Sequence, residues 1–301
     1  MLPQVRHLPT APGVYRFRDA GGRVLYVGRA TSLRSRVASY WQDLRDRPHL
    51  SRMVTRVRRL EAVVCDSVHE AAWLERNVLE AAMPRWNRTP GGQEAPVYLT
   101  LDAGPARPGL RVAHLTGGGR QPAAGTVVPF GPYLGGMKAR LAVSALHRLH
   151  PLPYAKSAPT GAERDLANRL GIGPADRARL AAAVSAVLDR DPAAVRAALD
   201  RLAVLRDGAA AELNFERAGR IQEEIAALDW ATSPQRATTS EPTTQIVHGW
   251  ADGTLVRFRI RDGRLYAWEQ RSATRAPDAP EDPAWAAFAQ RNALLAARIS
   301  R

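Results

Sequence analysis

The sequence holds a single cysteine, Cys65, among its 301 residues. One thiol excludes a disulfide framework, and it excludes any all-cysteine metal or iron–sulfur site built from this chain alone. Long apolar runs are also missing, since the apolar stretch at 180–188 is much shorter than the roughly 20 residues that a membrane span requires. The first residues lack the apolar segment of a secretory signal peptide. From these absences we expect a cytoplasmic protein with no membrane partner.

Lysine is almost absent, because 41 of the 43 basic residues are arginine. The formal net charge is +14, and residues 1–60 contribute +10 of it. Arginine grips phosphate oxygens through a planar fork, so a local arginine cluster favours a polyanionic partner such as nucleic acid. A GC-rich genome would also prefer arginine to lysine, but it does not explain why the charge gathers in the first sixty residues.

Residues 10–87 alternate short strand and helix signals in the order β–β–α–(α)–β–α, which is typical of a small α/β domain of about ninety residues. Two apolar segments flank the turn sequence Asp19-Ala20-Gly21-Gly22 and predict a hairpin. Ser67, with Glu70 three residues later, forms a capping-box sequence. It predicts a helix that runs to about Met83 and is ended by Pro84.

The remainder of the chain divides by composition. Residues 84–136 hold 8 prolines and 11 glycines, which predicts short strands and loops. Residues 163–230 are alanine-rich with helical apolar spacing, and a break near Leu213-Asn214 predicts a helical hairpin. Residues 231–244 are typical of a flexible linker. Beyond them we expect three short strands, with a turn at Asp262-Gly263, and a terminal helix from about Asp282.

Several motifs follow one another in a fixed order within this frame. They are Gly13-Val14-Tyr15, Tyr26-Val27-Gly28-Arg29-Ala30, Leu33-Arg34-Ser35-Arg36, Glu70-Ala71-Ala72-Trp73-Leu74-Glu75-Arg76-Asn77, Pro84-Arg85-Trp86-Asn87 and Phe130-Gly131-Pro132-Tyr133. Together they resemble the GIY-YIG nucleases, most closely the N-terminal half of the bacterial excision-repair family UvrC and its shorter relative Cho. The later stretch 211–218 is similar to the helical UVR motif by which that family meets UvrB. The resemblance covers roughly residues 9–230.

The resemblance implies an α/β (α+β) fold in five segments. Residues 9–100 would form a small three-stranded antiparallel GIY-YIG sheet flanked by helices, followed by a loop-rich middle region over 101–160. A helical region with a UVR-like hairpin would span 161–230, and a linker would span 231–244. Residues 245–301, short strands and a terminal helix, look at most like the opening of the family's C-terminal domain.

The implied activity is that of a metal-dependent, structure-specific DNA endonuclease of nucleotide excision repair. Such an enzyme hydrolyses one phosphodiester bond, on the 3′ side of a lesion in damaged double-stranded DNA, with a UvrB-like partner. Glu75 would hold one Mg²⁺ or Mn²⁺, since Mg²⁺ commonly takes one or two carboxylates and keeps several waters. The implied catalytic residues are Tyr15, Tyr26, Arg29, Arg36, Tyr40, Glu75 and Asn87; Arg29, Arg34 and Arg36 would contact DNA; Asn214, Phe215, Glu216 and Ala218 would contact the partner.

Tyr26 would act as the general base or as a group that orients water. An unperturbed tyrosine has a pKa of about 10, so about one molecule in a thousand is ionised at pH 7. A base role therefore needs nearby cations, such as Arg29 and Arg36, to favour the phenolate.

The chain also departs from the family pattern. Arg29 stands where lysine is common, and Trp86 stands where tyrosine is common. The family's cysteine cluster is replaced here by residues 154–159, so we expect no iron–sulfur cluster. Two alternatives stay open: a catalytically weak UvrC-like DNA-binding or scaffold protein, and a GIY-YIG nuclease that acts on branched DNA with another partner.

Overall fold

The computed structural model describes residues 2–42, 48–87, 95–114, 127–275, 277 and 282–300. They contain helices and strands in this order: β1 (Gly13–Arg18), β2 (Val24–Ala30), α1 (Leu33–Ala38), α2 (Ser51–Val54), β3 (Arg59–Val64), α3 (Val68–Ala81), β4 (Val97–Asp102), β5 (Gly109–Ala113), β6 (Val127–Tyr133), α4 (Gly136–Leu149), α5 (Gly161–Leu170), α6 (Arg177–Leu188), α7 (Pro192–Ala211), α8 (Phe215–Thr232), β7 (Gln245–Ala251), β8 (Thr254–Arg261), β9 (Arg264–Ser272) and α9 (Pro283–Ser300). Among these helices none is both long and apolar enough to cross a bilayer.

The chain forms two compact units, and their boundaries differ from those expected. The first unit combines Met1–Gln93 with Pro234–Arg301, and the second unit is Glu94–Ser233. The predicted three-stranded antiparallel sheet is present in the first unit with strand order β2-β1-β3. A second antiparallel sheet, β7-β8-β9, belongs to the same unit. The C-terminal segment is therefore part of the unit that holds the predicted GIY-YIG sheet.

Polar groups at the start of α3 tie the predicted linker into the first unit. Ser67 Oγ accepts the N–H of Glu70 at 2.9 Å, as the capping sequence predicts, and donates to the carbonyl of Pro234 at 2.6 Å. The fully buried carboxylate of Glu70 accepts the N–H of Asp66 at 2.7 Å and that of Arg236 at 2.9 Å. The expectation of a flexible linker over 231–244 is thus wrong for its first half. Its Ser/Thr-rich composition suggests solvation, but the helix start and Glu70 supply internal partners instead.

The C-terminal helix closes one edge of the first sheet. Strand β3 lies at that edge, where backbone groups need partners from outside the sheet. Asn292 of α9 is fully buried; its Oδ1 accepts the N–H of Val64 at 2.7 Å and its Nδ2 donates to the carbonyl of Val64 at 3.2 Å. One asparagine amide therefore satisfies both backbone groups of an edge residue, as an additional strand would.

A buried arginine fixes the back of the same sheet against the C-terminal sheet. Arg16 of β1 is 6% exposed, forms an ion pair with Glu61 of β3, and has its guanidinium carbon 4.1 Å from the ring centroid of Trp268. Arg18 Nε lies 3.0 Å from the same carboxylate. Burying a charge is costly unless it is paired, so Glu61 and the Trp268 ring together make this packing tolerable.

The second unit is a sheet, β5-β4-β6, packed with the helices α4, α6, α7 and α8 around one core. Fully buried members of that core come from both the sheet and the helices: Leu99, Leu146, Val184, Leu202, Ile221 and Leu228. The predicted break in the helical hairpin is confirmed, because α7 ends at Ala211 and Leu213 takes a positive φ of 59°. Asn214 Oδ1 then caps α8 by accepting the N–H of Arg217 at 3.2 Å.

The edge closure predicts that Asn292→Ala is strongly destabilising. The variant leaves a buried N–H and a buried carbonyl without partners, so we expect the free energy of unfolding to fall by about 3 kcal/mol. Equilibrium urea unfolding measures this loss. Gln290→Ala, an exposed position on the same helix, is the matched control and should change stability by less than about 0.5 kcal/mol. Equal effects of the two substitutions would contradict the assignment.

The second unit contains a histidine that makes its stability depend on pH. His147 Nε2 accepts the N–H of Leu110 at 3.0 Å, and burial lowers the pKa of His147 to about 4. The unfolded chain, with a pKa of about 6.5, binds more protons between these two values. Stability is therefore full above about pH 6.5 and falls as the pH drops towards 4, by about 2–3 kcal/mol.

Urea unfolding at several pH values checks this expectation with His147→Gln, which keeps an acceptor for Leu110 but does not titrate. The difference in unfolding free energy between wild type and variant should shrink steadily as the pH is lowered from 6.5 to 4. Parallel pH curves for the two proteins would show that His147 is not responsible.

Candidate active site

Three tyrosines gather on one face of the first sheet. Tyr15 lies on β1, Tyr26 on β2, and Tyr40 follows α1 in a short 3-10 helix. Tyr15 lies opposite Gly28 in the antiparallel register, and a Cβ on Gly28 would stand 2.6 Å from Tyr15 Oη. Only glycine therefore leaves room for this hydroxyl. A glycine inside a strand pattern often marks such a close approach, and this signal was available in the sequence.

The three hydroxyls form a hydrogen-bonded chain. Tyr15 and Tyr40 are 0% and 1% exposed, and their Oη atoms are 2.8 Å apart. Tyr26, which is half-buried, also hydrogen-bonds to Tyr40, and their ring centroids are 6.0 Å apart. Tyr26 is thus the member of the chain that reaches solvent.

The electrostatics of this cluster do not favour the phenolate that a general-base role of Tyr26 would need. Burial raises the pKa of Tyr26 above its ordinary value, and interaction with Tyr40 raises it further, whereas Arg36 lowers it by less. Burial likewise raises the pKa of Tyr15 and of Tyr40. All three hydroxyls are therefore neutral at neutral pH in this arrangement.

Glu75 of α3 lies beside the end of β2. Its Oε1 accepts the backbone N–H of Arg29 at 3.1 Å, and its Oε2 is 3.3 Å from Arg29 Nε. The Glu75 side chain is 22% exposed and that of Arg29 is 53% exposed. Burial raises the pKa of Glu75, while Arg29 and Arg36 oppose that shift. The carboxylate and the tyrosine chain share one electrostatic environment, because Glu75 also raises the pKa of Tyr26.

The two other predicted arginines differ in their surroundings. Arg36 hydrogen-bonds to Tyr15, and its guanidinium carbon is 5.7 Å from the ring centroid of Tyr40. It therefore lies at the tyrosine cluster. Arg34 is exposed, and its Nε donates to the carbonyl of Leu8 at 2.7 Å. Arg36 belongs to the site by contact, and Arg34 lies on the surface of the same helix.

Asn87 positions the site without directing its polar atoms at the tyrosines or at Glu75. Its Oδ1 accepts the N–H of Val27 at 3.0 Å, and its Nδ2 donates to the carbonyl of Val27 at 2.8 Å. The N–H of Trp86 donates to the carbonyl of Leu25 at 3.2 Å. Residues 86–87 thus extend the sheet beyond the edge strand β2 and hold Tyr26 between them.

The described part of the chain has no cluster of three or more His, Cys, Asp or Glu side chains that could hold a metal ion. A divalent cation at this site would therefore depend on Glu75 and on water. A single partly exposed carboxylate with retained waters is a coordination that Mg²⁺ accepts. Glu75 fits such an ion, which would compete with the guanidinium of Arg29 for the carboxylate.

The four residues predicted to contact a partner divide into two pairs. Asn214 caps α8, and Ala218 is 9% exposed within the α7–α8 hairpin. Phe215 is 67% exposed and Glu216 is also exposed, next to Leu213 at 74%. Two residues thus build the end of the hairpin, and two are presented to solvent there.

Comparison with known proteins identifies the same domain. Residues 11–88 match the family described as the UvrC-like GIY-YIG domain. The UvrABC system protein C of Mycolicibacterium paratuberculosis is 31% identical over 279 residues, which are 87% of this chain and 42% of that protein. The corresponding protein of Beutenbergia cavernae is 32% identical over 282 residues, or 87% of this chain and 39% of that protein. The chain spans about two fifths of the length of these relatives.

One solved structure that the chain resembles is the GIY-YIG N-terminal endonuclease domain of UvrC from Thermotoga maritima, bound to magnesium. It is 30% identical, with a TM-score of 0.26, and the match covers 29% of this chain and 99% of that one. The family match and the extended similarity to the two curated relatives agree with each other. The chain thus carries a UvrC-like GIY-YIG domain at residues 11–88, and over most of its length it is similar to the UvrABC system protein C of these two organisms.

Proposed function

We propose that this chain is a divalent-cation-dependent endonuclease of nucleotide excision repair, which cuts one strand of damaged double-stranded DNA on the 3′ side of a lesion. The observation that carries the proposal is the grouping of Glu75, Arg29, Arg36 and the tyrosine hydroxyls inside the domain that matches the UvrC-like family. The relatives named as protein C of the UvrABC system support the assignment to that system.

The chemistry needs a stabilised phosphate and a directed water. Mg²⁺ or Mn²⁺ held by Glu75 would neutralise charge on the phosphate and on the leaving oxygen. Arg36 and Arg29 would bind phosphate oxygens. This role is supported by the position of Arg36 beside Tyr40 and of Arg29 beside Glu75. The negative substrate would then replace Glu75 as the partner of the Arg29 guanidinium.

Tyr26 would orient the attacking water as a neutral phenol. The raised pKa of Tyr26 disfavours a phenolate before substrate binds. The buried tyrosine hydroxyls therefore support a role in which Tyr26 hydrogen-bonds to the attacking water. Tyr40 and Tyr15 fix the direction of that hydroxyl through their own hydrogen bonds. Asn87 fixes the strand from which Tyr26 projects.

The decisive experiment is incision of a 5′-labelled duplex with one bulky lesion, in the presence of a UvrB-like protein and Mg²⁺ or Mn²⁺. We expect one cut 3′ of the lesion, and a loss of at least about a hundredfold in the rate of Glu75→Gln, because removing one transition-state interaction from a catalytic site costs about a hundredfold to a thousandfold. Glu80→Gln is the matched control, since Glu80 lies on the same helix and pairs with Arg76 and Arg264 instead of Arg29.

Each other outcome selects an alternative. Binding to the complex of lesion-containing DNA and the UvrB-like protein, without any cut, would favour the alternative of a DNA-binding or scaffold protein. Efficient cutting of branched DNA without the UvrB-like protein would leave a nuclease with another partner. Equal rates for the two glutamate variants would remove Glu75 from the site.

We also propose that the end of the α7–α8 hairpin binds the UvrB-like partner. Its exposed apolar side chains, Leu213 and Phe215, resemble the anchors of a protein interface, and Glu216 lies beside them. Asn214 and Ala218 would act indirectly, by shaping the hairpin end.

Phe215→Ala is therefore expected to weaken binding of a UvrB-like protein by at least about tenfold, the usual cost of losing an aromatic anchor. Isothermal titration with the purified partner measures the change. Leu170→Ala, which removes an apolar side chain that is 47% exposed on α5, is the matched control and should leave the affinity unchanged. Unchanged binding in Phe215→Ala would exclude the hairpin end as the contact.

A further inference from the structure

The C-terminal sheet has one covered face and one face whose side chains are mostly partly or fully exposed. Val256, Phe258 and Ile260 of β8 are buried, and the rings of Phe258 and Phe288 of α9 lie 5.2 Å apart. Side chains alternate along a strand, so the residues between them point to the opposite face. On β8 those residues are Arg257, Arg259 and Arg261.

This outer face carries a stripe of arginine and aromatic side chains. We define the arginine face as Ile246, His248 and Trp250 of β7, Arg257, Arg259 and Arg261 of β8, and Tyr266, Glu269 and Arg271 of β9, with Arg275 beyond the sheet. Leu255 of β8 lies between Trp250 and Arg271 on the same side but is buried. Cross-strand pairs place His248 beside Arg257, Ile246 beside Arg259, and Arg271 beside Leu255. The side chains therefore form one continuous surface across three strands.

The charges of the arginine face do not balance. Glu269 is its one carboxylate among the described residues, and it pairs with both Arg257 and Arg259, the latter at 2.8 Å. The guanidinium of Arg261 lies over the ring of Tyr266 at 4.9 Å, and Arg261, Arg271 and Arg275 are exposed. Asp252 and Asp262 occupy the hairpin turns at the ends of the strands. The centre of the face therefore keeps a positive excess.

A cavity of about 650 Å³ extends this surface past the end of β9. Arg271 and Arg275 line it together with Leu255, Ser272 and Thr274. Guanidinium and hydroxyl groups around one depression offer hydrogen-bond donors to anionic oxygens. An extended row of such donors, spaced along strands and flanked by aromatic rings, suits a polymer with regularly spaced phosphates.

We propose that the arginine face is a second DNA-binding surface, which contacts the phosphate backbone outside the cleavage site. The proposal rests on the proposed function for its choice of DNA as the polyanion. Arg259, Arg261 and Arg271 would each neutralise about one phosphate. The face would add affinity that does not depend on sequence, because guanidinium contacts to phosphates carry no base information.

Binding is measured without cutting, by fluorescence anisotropy of a labelled 30-base-pair duplex in EDTA at several salt concentrations. For the triple variant Arg259→Gln, Arg261→Gln, Arg271→Gln we expect at least about a tenfold weaker affinity and a slope of log K against log salt that is smaller by about 2 to 3, at about 0.9 for each phosphate lost. The matched control replaces Arg169, Arg196 and Arg201, three exposed arginines of the second unit, with glutamine and has the same net charge.

The control should keep its salt slope, and the triple lysine variant at the three face positions should keep most of the affinity, because lysine also binds phosphate as a point charge. Equal losses in both glutamine triples would reduce the effect to net charge and overturn the proposal. Unchanged binding in the face variant would also overturn the proposal. Competition by polyglutamate as strong as that of DNA at equal charge would overturn it too, because it would indicate that the face binds an acidic protein rather than DNA.

Failure of this proposal is distinguishable from failure of the proposed nuclease. Cutting depends on Glu75, and the binding assay contains no divalent cation. If the wild type never cuts DNA but the face variant has a reduced salt slope, the results would support the second surface alone. A chain that cuts the lesion duplex with its salt slope unchanged in the face variant would support the nuclease alone.

Discussion

Closure of the two edges of a small sheet is the constraint on which the first unit depends. A three-stranded sheet has little core of its own, and both outer strands carry backbone groups that must find partners. An asparagine amide supplies them at each edge, Asn87 for Val27 and Asn292 for Val64. One of these amides lies just after the GIY-YIG motifs and the other about two hundred residues later. The site is therefore held by two segments that lie far apart in the sequence.

The same burial that stabilises the sheet sets the chemistry of its tyrosines. Tyr15 and Tyr40 are removed from water, and removal from water disfavours the phenolate. The hydroxyl chain thus works as a set of neutral donors and acceptors with fixed directions. Charge enters only at its margin, where Arg36, Arg29 and Glu75 are more exposed. A neutral, rigid interior beside a charged rim is compatible with the water-orienting role proposed for Tyr26.

Local patterns predicted much of this arrangement. The strands, the cap at Ser67 and the turn at Asp262-Gly263 follow from short-range preferences, and the structure confirms them. The motifs identified the family and the tyrosines that gather in the structure. The sequence could not show that the Asn87 amide hydrogen-bonds to the backbone of β2, because that depends on which atoms lie beside this edge strand in the folded chain.

Long-range pairing explains the expectations that were wrong. Nothing near Ser67 or Glu70 in the sequence indicates that Pro234 and Arg236 are their partners. The composition of residues 231–244 was therefore the only available signal, and it is typical of a linker. Arg16 and Glu61 could be placed on adjacent strands, but Trp268 lies far away in sequence. The pKa of Tyr26 depends on burial by residues that only the folded chain brings together. Such contacts carry no local signature.

The division of the first unit between two chain segments has a consequence for synthesis. The second unit consists of consecutive residues, so it can fold while the chain is still being made. Strand β3 must wait until Asn292, 228 residues after Val64, has been translated before its edge is closed. A prematurely terminated chain would therefore expose an unprotected strand, and it would carry the GIY-YIG motifs without the rigid sheet that aligns them. The order of synthesis thereby couples the arrival of α9 to completion of the site.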